Sequence, residues 1–263
     1  MKPDLPLDKA DPLTRKKSEP YKELAPIYNH IMRHVDYSGW AVYLHSIIKK
    51  INIESDLILD LGCGSGQLLR EMVKLEYHLE GCDPSPEMLK IARKNNPGIK
   101  FWTDSLPELN NTTSSDYPLI TCLYDTMNYL PDLEEFQKAL QRISQLLRPE
   151  GYLIFDVVSE QFCKLYFDNA DEEEVIDNNY AYSRHSYYKE KTSQQINKFL
   201  IFSPSGIYEE IHIQKIYPFR LLNRLIDQKS PFRVEATYDD FSFHPAGSNS
   251  GRVHFILKKV SDD

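Results

Sequence analysis

Hydrophobic and polar positions follow two different rhythms along this chain. Between residues 57 and 158, short apolar runs alternate with stretches of helical period. The runs at 57–61, 77–82, 99–103, 119–123 and 152–158 predict five buried strands. Residues 67–75, 86–94 and 133–147, which lie between them, predict helices. Pro84 and Pro86 favour a sharp start to the second of these helices, and Arg148-Pro149-Glu150-Gly151 is a stop signal after the third. Strands alternating with helices of this size imply a parallel sheet with helices on both faces and right-handed crossovers.

Beyond residue 172 the period shortens to two. Residues 180–188, 196–202 and 207–216 alternate aromatic or β-branched side chains with polar ones, and 189–193 and 203–206 read as turns. This pattern predicts an antiparallel meander with one face wet. A helix follows at 219–228, then two strands at 232–238 and 252–259. Before the first strand, residues 21–33 and 38–50 look helical, with Pro26 placed to kink or divide the first. Residues 1–20 carry lysines and prolines without an apolar core, and are expected to be a flexible tail, not a signal peptide. The division expected is therefore a main domain from 21–171 and 218–263, with 172–217 inserted as an antiparallel lid that sits over the sheet.

At 263 residues the chain can bury one large core and still carry such an insertion. No apolar stretch is long enough to span a bilayer. A net charge of −8 leaves no footprint for gripping nucleic acid, and Arg15-Lys16-Lys17 is too short to supply one. The four cysteines, Cys63, Cys82, Cys122 and Cys163, form no Cys-x-x-Cys pair, so reduced thiols and a cytoplasmic location are expected. His244 and His254 are isolated, and no metal constellation is visible.

The densest chemical signal is a glycine cluster. Three of the ten glycines, Gly62, Gly64 and Gly66, fall just after the first strand and just before a helix. That arrangement lets a ligand approach the backbone and the free N–H groups of a helix N-terminus. A dinucleotide fingerprint would need its third glycine one position later, where Gln67 stands. Asp83 ends the second strand about twenty residues on, where a carboxylate can accept both hydroxyls of a ribose; it could equally cap the helix that follows.

Five motifs in this order resemble the class I S-adenosylmethionine-dependent methyltransferases. They are Leu59-Asp60-Leu61-Gly62-Cys63-Gly64-Ser65-Gly66, the acid of Gly81-Cys82-Asp83-Pro84-Ser85-Pro86-Glu87-Met88-Leu89, Asp104, Asp116-Tyr117-Pro118-Leu119-Ile120-Thr121-Cys122, and Arg148-Pro149-Glu150-Gly151-Tyr152. The resemblance covers roughly residues 21–259 and implies an α/β, Rossmann-like, doubly wound sheet of seven mostly parallel strands. S-adenosylmethionine is the cofactor it implies, with S-adenosylhomocysteine as product. Asp83 and Pro84 then border the ribose, and Met88 packs on the adenine face. Asp104 accepts from the adenine amino group while the Ser105 N–H meets a ring nitrogen. Asp60 orients the glycine loop or faces the cofactor's amino group through water, and Gly62, Cys122 and Leu123 flank the methionine moiety.

The segments Leu24-Ala25-Pro26-Ile27-Tyr28-Asn29-His30 and Val35-Asp36-Tyr37-Ser38-Gly39-Trp40 resemble a narrower group, the small-molecule N- and O-methyltransferases and their uncharacterised bacterial relatives. In that group these helices close over the cofactor, so Tyr28, Tyr37 and Trp40 are candidates to line the site, where an aromatic face suits a sulfonium. Many of those relatives carry an acid where Asn29 stands. Residues 123–130 resemble the same group's cofactor-and-substrate loop, which offers Asp125 and Asn128 to the acceptor. Tyr28, Asp125 and His185 are the candidate catalytic groups, with His212 and Tyr187 as further candidate bases. The expected activity is methyl transfer to a small polar acceptor through N or O, by in-line displacement. Transfer to tRNA and a catalytically silent cofactor-binding module are the alternatives.

Overall fold

In the computed structural model, which describes residues 15–53 and 55–260, the chain opens with β1 (Arg15–Ser18), α1 (Ala25–Ile31) and α2 (Tyr37–Ile51). The alternating region follows as β2 (Leu57–Leu61), α3 (Gln67–Val73), β3 (His78–Asp83), α4 (Pro86–Asn95), β4 (Lys100–Thr103), β5 (Tyr117–Cys122), α5 (Leu133–Leu146) and β6 (Leu147–Val158). After α6 (Glu160–Tyr166) come β7 (Ala170–Val175), β8 (Ala181–Lys189), β9 (Gln194–Ser203) and β10 (Gly206–Lys215). The chain closes with α7 (Phe219–Lys229), β11 (Phe232–Asp239) and β12 (Arg252–Lys259).

Seven strands form the main sheet in the order β11-β12-β6-β5-β2-β3-β4, parallel except for β12, which runs against both of its neighbours. The strand order reverses at β2, which pairs with β3 on one side and β5 on the other, so a crevice opens beyond the carboxyl ends of β2 and β5. Local chemistry explains the flanking helices. Asp132 caps α5 by accepting the Glu135 N–H at 2.9 Å, and Phe136, Ala139, Leu140 and Ile143 bury one face of that helix. Ser85 caps α4 through the Met88 N–H at 3.2 Å. Across the β6–β12 seam Phe155 and Phe255 are direct partners, stacked at 4.8 Å with their rings 2° from parallel.

The second sheet runs β1-β10-β9-β8-β7, with β7 to β10 an antiparallel meander. Two expectations change here. Arg15–Ser18, expected within a flexible tail, pair in parallel with Ile207–Glu210 of β10; residues 1–14 of that tail lie outside the described residues. The helix expected over 21–33 is shorter, because Pro26 sits in its first turn, where a missing N–H costs nothing, and residues 21–24 form a turn. Helix α6 was not foreseen; Ser159 caps it by accepting the Phe162 N–H at 3.2 Å. No disulfide joins the four cysteines. No helix among the described residues is long and apolar enough to cross a membrane.

Truncating Phe155 to Ala, which removes a fully buried ring and its stacking partner, should cost about 3–5 kcal/mol in urea unfolding.

Candidate active site

At the switch point the chain leaves β2 through three glycines with φ of 72°, 54° and 73°. The N–H groups of Gly62 and Cys63 both donate to the Cys82 carbonyl, at 2.8 and 3.0 Å, which folds the loop back over the end of β3. At Gly62 a side chain is excluded twice: its φ is left-handed, and a Cβ would lie 2.5 Å from the Thr126 methyl. Gly66 starts α3, but packs against Asn96 and Ala92 and does not face the crevice.

A cavity of about 450 Å³ opens in front of this loop, within the range typical of small-molecule sites. Gly62, Gly64, Asp83, Pro84, Met88, Asp104, Ser105 and Tyr28 line it, as the sequence leads one to expect. A smaller pocket beside it is lined by Tyr28, Tyr37, Asp60, Gly62, Gly64 and Leu123. Asp83 holds the geometry: its two oxygens accept the Gly64 and Ser85 N–H groups, each at 2.9 Å. Each oxygen keeps a lone pair, so the carboxylate can still accept two hydroxyls. That acceptor capacity, at a buried position beside side-chain-free backbone, fits the ribose of an adenosyl cofactor. Burial pushes Asp83 up to about 6, against the opposing pull of its two N–H partners. Asp60 is deeper; burial pushes it up to about 7 although Thr121 donates to it at 2.7 Å.

Other expected site residues are engaged elsewhere. Asp104 borders the cavity, but its carboxylate already accepts from the Asn111 N–H, the Thr112 hydroxyl and the Ser105 N–H. The Ser105 N–H is thus spent within its own turn, not presented to a ring nitrogen. Trp40 is buried and stacks on Tyr124 at 4.3 Å, supporting the site from behind. Cys122 is fully buried in β5 and lines neither pocket. Asn128 is a strut: its amide donates to the Lys215 carbonyl at 2.8 Å, and its oxygen accepts the Val158 N–H at 3.2 Å. Asp125 is paired with Arg252 at 2.9 Å and bonded to Gln214, and Arg252 also pairs with the buried Asp156. Its oxygens are committed to these partners. His185 is exposed on β8, bonded to Asp171 at 2.7 Å and outside both pockets.

The structure adds phenols that the sequence did not single out. Tyr21, Tyr124 and Tyr129 line the main cavity with Tyr28. Burial pushes the hydroxyls of Tyr21, Tyr28 and Tyr129 above the ordinary phenol range, so all three keep their protons at neutral pH. Tyr124 and Asp125 are consecutive non-glycine residues with φ of 58° and 51°, a local strain of the kind that concentrates at binding sites. Asn29 ties α1 to the glycine loop by accepting the Ser65 hydroxyl at 2.6 Å. Among the described residues no group of histidines, cysteines and carboxylates could hold a metal ion.

Residues 58–151 match the methyltransferase domain family. A putative methyltransferase of Geobacillus sp. (strain WCH70) is 28% identical over 257 residues, covering 91% of this chain and 99% of that protein. A solved S-adenosylmethionine-dependent methyltransferase from Clostridium acetobutylicum ATCC 824 superposes with a TM-score of 0.73 at 22% identity, covering 91% of this chain and 98% of that one. The sugar N-methyltransferase KedS8 from Streptoalloteichus sp ATCC 53650 gives 0.71 at 16% identity, covering 89% and 92%.

The raised carboxylates make stability depend on pH in a defined direction. The folded chain binds protons at Asp60 and Asp83 that the unfolded chain has released, so their contribution to stability falls as pH rises from about 4 to about 7. Asp60→Asn should therefore stabilise the ligand-free protein at pH 8 by on the order of 2 kcal/mol, with the gap closing towards pH 4. Urea unfolding of both proteins at the two pH values checks this.

Proposed function

We propose that this S-adenosylmethionine-dependent methyltransferase passes its methyl group to an amine or hydroxyl of a small polar molecule, with the second sheet acting as a lid. The observation that carries this reading is the position of the main cavity, between the N-terminal turn and the loop on which the second sheet packs. Residues 19–22 roof it on one side, and Tyr21 and Tyr129 bound it where the second sheet packs down. A concave pocket of this size suits a small acceptor better than a polymer, and the net charge of −8 disfavours an RNA backbone. The fold shared with a sugar N-methyltransferase agrees with it.

In this reading Asp83 accepts the ribose hydroxyls, Met88 packs on the adenine, and Asp104 stands near its amino group. Asp60 and the Gly62–Gly64 backbone border the methionine end in the smaller pocket. The cofactor supplies a methyl group on a positively charged sulfur that is a good leaving group. The protein's work is alignment and the exclusion of water. The faces of Tyr28, Tyr37 and Tyr124 around the smaller pocket suit a cation.

Asp83→Ala should weaken S-adenosylhomocysteine binding by about 1.5–3 kcal/mol, measured by calorimetry. In the unmodified protein, affinity should fall as pH drops below about 6, where Asp83 takes up a proton. Unchanged affinity in the variant would remove the ribose assignment. Labelled methyl groups should enter small amines or hydroxyl compounds; incorporation into tRNA alone, lost steeply with salt, would overturn the small-acceptor reading. Cofactor binding without transfer to any pool would leave a silent binding module.

A further inference from the structure

Glu210 and His212 lie on the buried face of β10, with side chains 0% and 3% exposed, and neither is accounted for by cofactor binding. The Glu210 carboxylate accepts four hydrogen bonds. Tyr21 N–H at 2.8 Å and His212 Nε2 at 3.2 Å reach one oxygen; Glu23 N–H at 2.6 Å and Leu24 N–H at 3.1 Å reach the other. Three fixed backbone donors use both of its oxygens as acceptors, and the oxygen nearest the imidazole accepts from it in the same way. The proton of the neutral His212 ring therefore sits on Nε2, which makes Nδ1 the acceptor. Nδ1 lies 3.2 Å from the Tyr129 hydroxyl, so Tyr129 donates to it. With its own proton committed, the Tyr129 oxygen accepts from the Tyr21 hydroxyl at 2.6 Å. Each bond direction follows from the one before, from a buried carboxylate out to two phenols on the cavity wall.

We propose that Tyr129, His212 and Glu210 form a proton relay that removes the proton from the acceptor's attacking atom during methyl transfer, so that the acceptor arrives as a hydroxyl or an ammonium group. This deepens the small-acceptor reading and rests on it. The acceptor's proton passes to the Tyr129 oxygen as the Tyr129 proton moves to His212 Nδ1. The electron pair so freed takes the methyl carbon, whose bond to sulfur breaks with its pair left on sulfur as a thioether. The imidazolium is held beside Glu210 until the proton leaves to water. Tyr129 is the catalytic residue, because it faces the cavity; His212 and Glu210 act through it as positioning residues. The Tyr21 ring packs edge-on to His212 at 4.5 Å, Phe199 of β9 packs at 5.2 Å, and the imidazole is buried from solvent. Asp125 and Asp83 are the other carboxylates whose charge acts on the Tyr129 hydroxyl. Asp125 is itself neutralised by Arg252.

Two readouts test the relay. Ring-nitrogen NMR of the protein with S-adenosylhomocysteine bound should give His212 as the Nε2–H tautomer, with the Nδ1 resonance shifted in Tyr129→Phe. An Nδ1–H tautomer overturns the relay whatever the acceptor. Turnover is then measured with glucosamine and catechol as probe acceptors. Tyr129→Phe and His212→Gln should each lower kcat by about 10²-fold or more, while S-adenosylhomocysteine affinity stays within a few-fold. They should also change the pH profile of kcat. Glu210→Gln turns an amide NH2 towards backbone donors and should lower the urea midpoint as well as kcat. Wild-type kcat and an unaltered pH profile in Tyr129→Phe, a change of one oxygen atom, would overturn the proposal. Failure of the unmodified protein to methylate either probe, with the Nε2–H tautomer present, would count against the small-acceptor reading and leave the relay standing.

Discussion

One fully buried carboxylate joins two parts of this chain that are remote in sequence. Glu210 of β10 accepts backbone N–H groups from Tyr21, Glu23 and Leu24, almost 190 positions away, and the ring of His212. Taking a carboxylate out of water costs several kcal/mol unless its lone pairs are satisfied, so this site is stable only when the 21–24 turn lies against the second sheet. Closure of the turn puts Tyr21 on the cavity wall, directs the chain into α1, and lets Asn29 of α1 reach the glycine loop. The Ser85 hydroxyl, donating to the Tyr21 carbonyl at 2.9 Å, fastens the same turn to the start of α4. The roof of the pocket is therefore held at one end by the inserted sheet and at the other by the cofactor-binding core.

A second buried network holds the far wall. Arg252 of β12 pairs with Asp125 after β5 and with Asp156 in β6, and lies 5.6 Å over the Trp40 ring. Trp40 in turn stacks on Tyr124. The left-handed backbone at Tyr124 and Asp125 is thus fixed from both sides, by charge below and by ring stacking above. This arrangement turns Asp125 from a candidate base into a wall residue and presents Tyr124 to both pockets. In the proposed relay, proton transfer falls to the Tyr129 hydroxyl and the His212 imidazole.

The parts of the protein legible in its sequence share one property: the forces that shape them act over a few residues. Period-two and period-3.6 patterning fixed the alternating strands and helices, and Gly62, Gly64 and Gly66 marked a loop whose φ values no other residue adopts freely. Asp83 was readable because its distance from that loop is set by one strand–helix–strand unit. Arg15–Ser18 were not readable, since four polar residues become a strand only when β10 offers its edge. Helix α6, seven residues long with one buried side chain, carries too little periodicity to be seen.

The roles of single polar side chains were decided by tertiary structure. Asp125, Asn128 and His185 each stand where chemistry could be expected from local motif or residue type. Their partners (Arg252 and Gln214, Lys215 and Val158, Asp171) come from other elements and occupy them. Conversely, Tyr21 and Tyr129 are unremarked in sequence and His212 is only a further candidate base there; the three become one hydrogen-bonded chain only because the inserted sheet folds over the crevice. The sequence alone therefore determined the fold class and the cofactor loop, because backbone conformation and hydrophobic period are local properties. Which side chains face the acceptor was left to the tertiary structure, because a hydrogen bond or ion pair is defined by both of its ends.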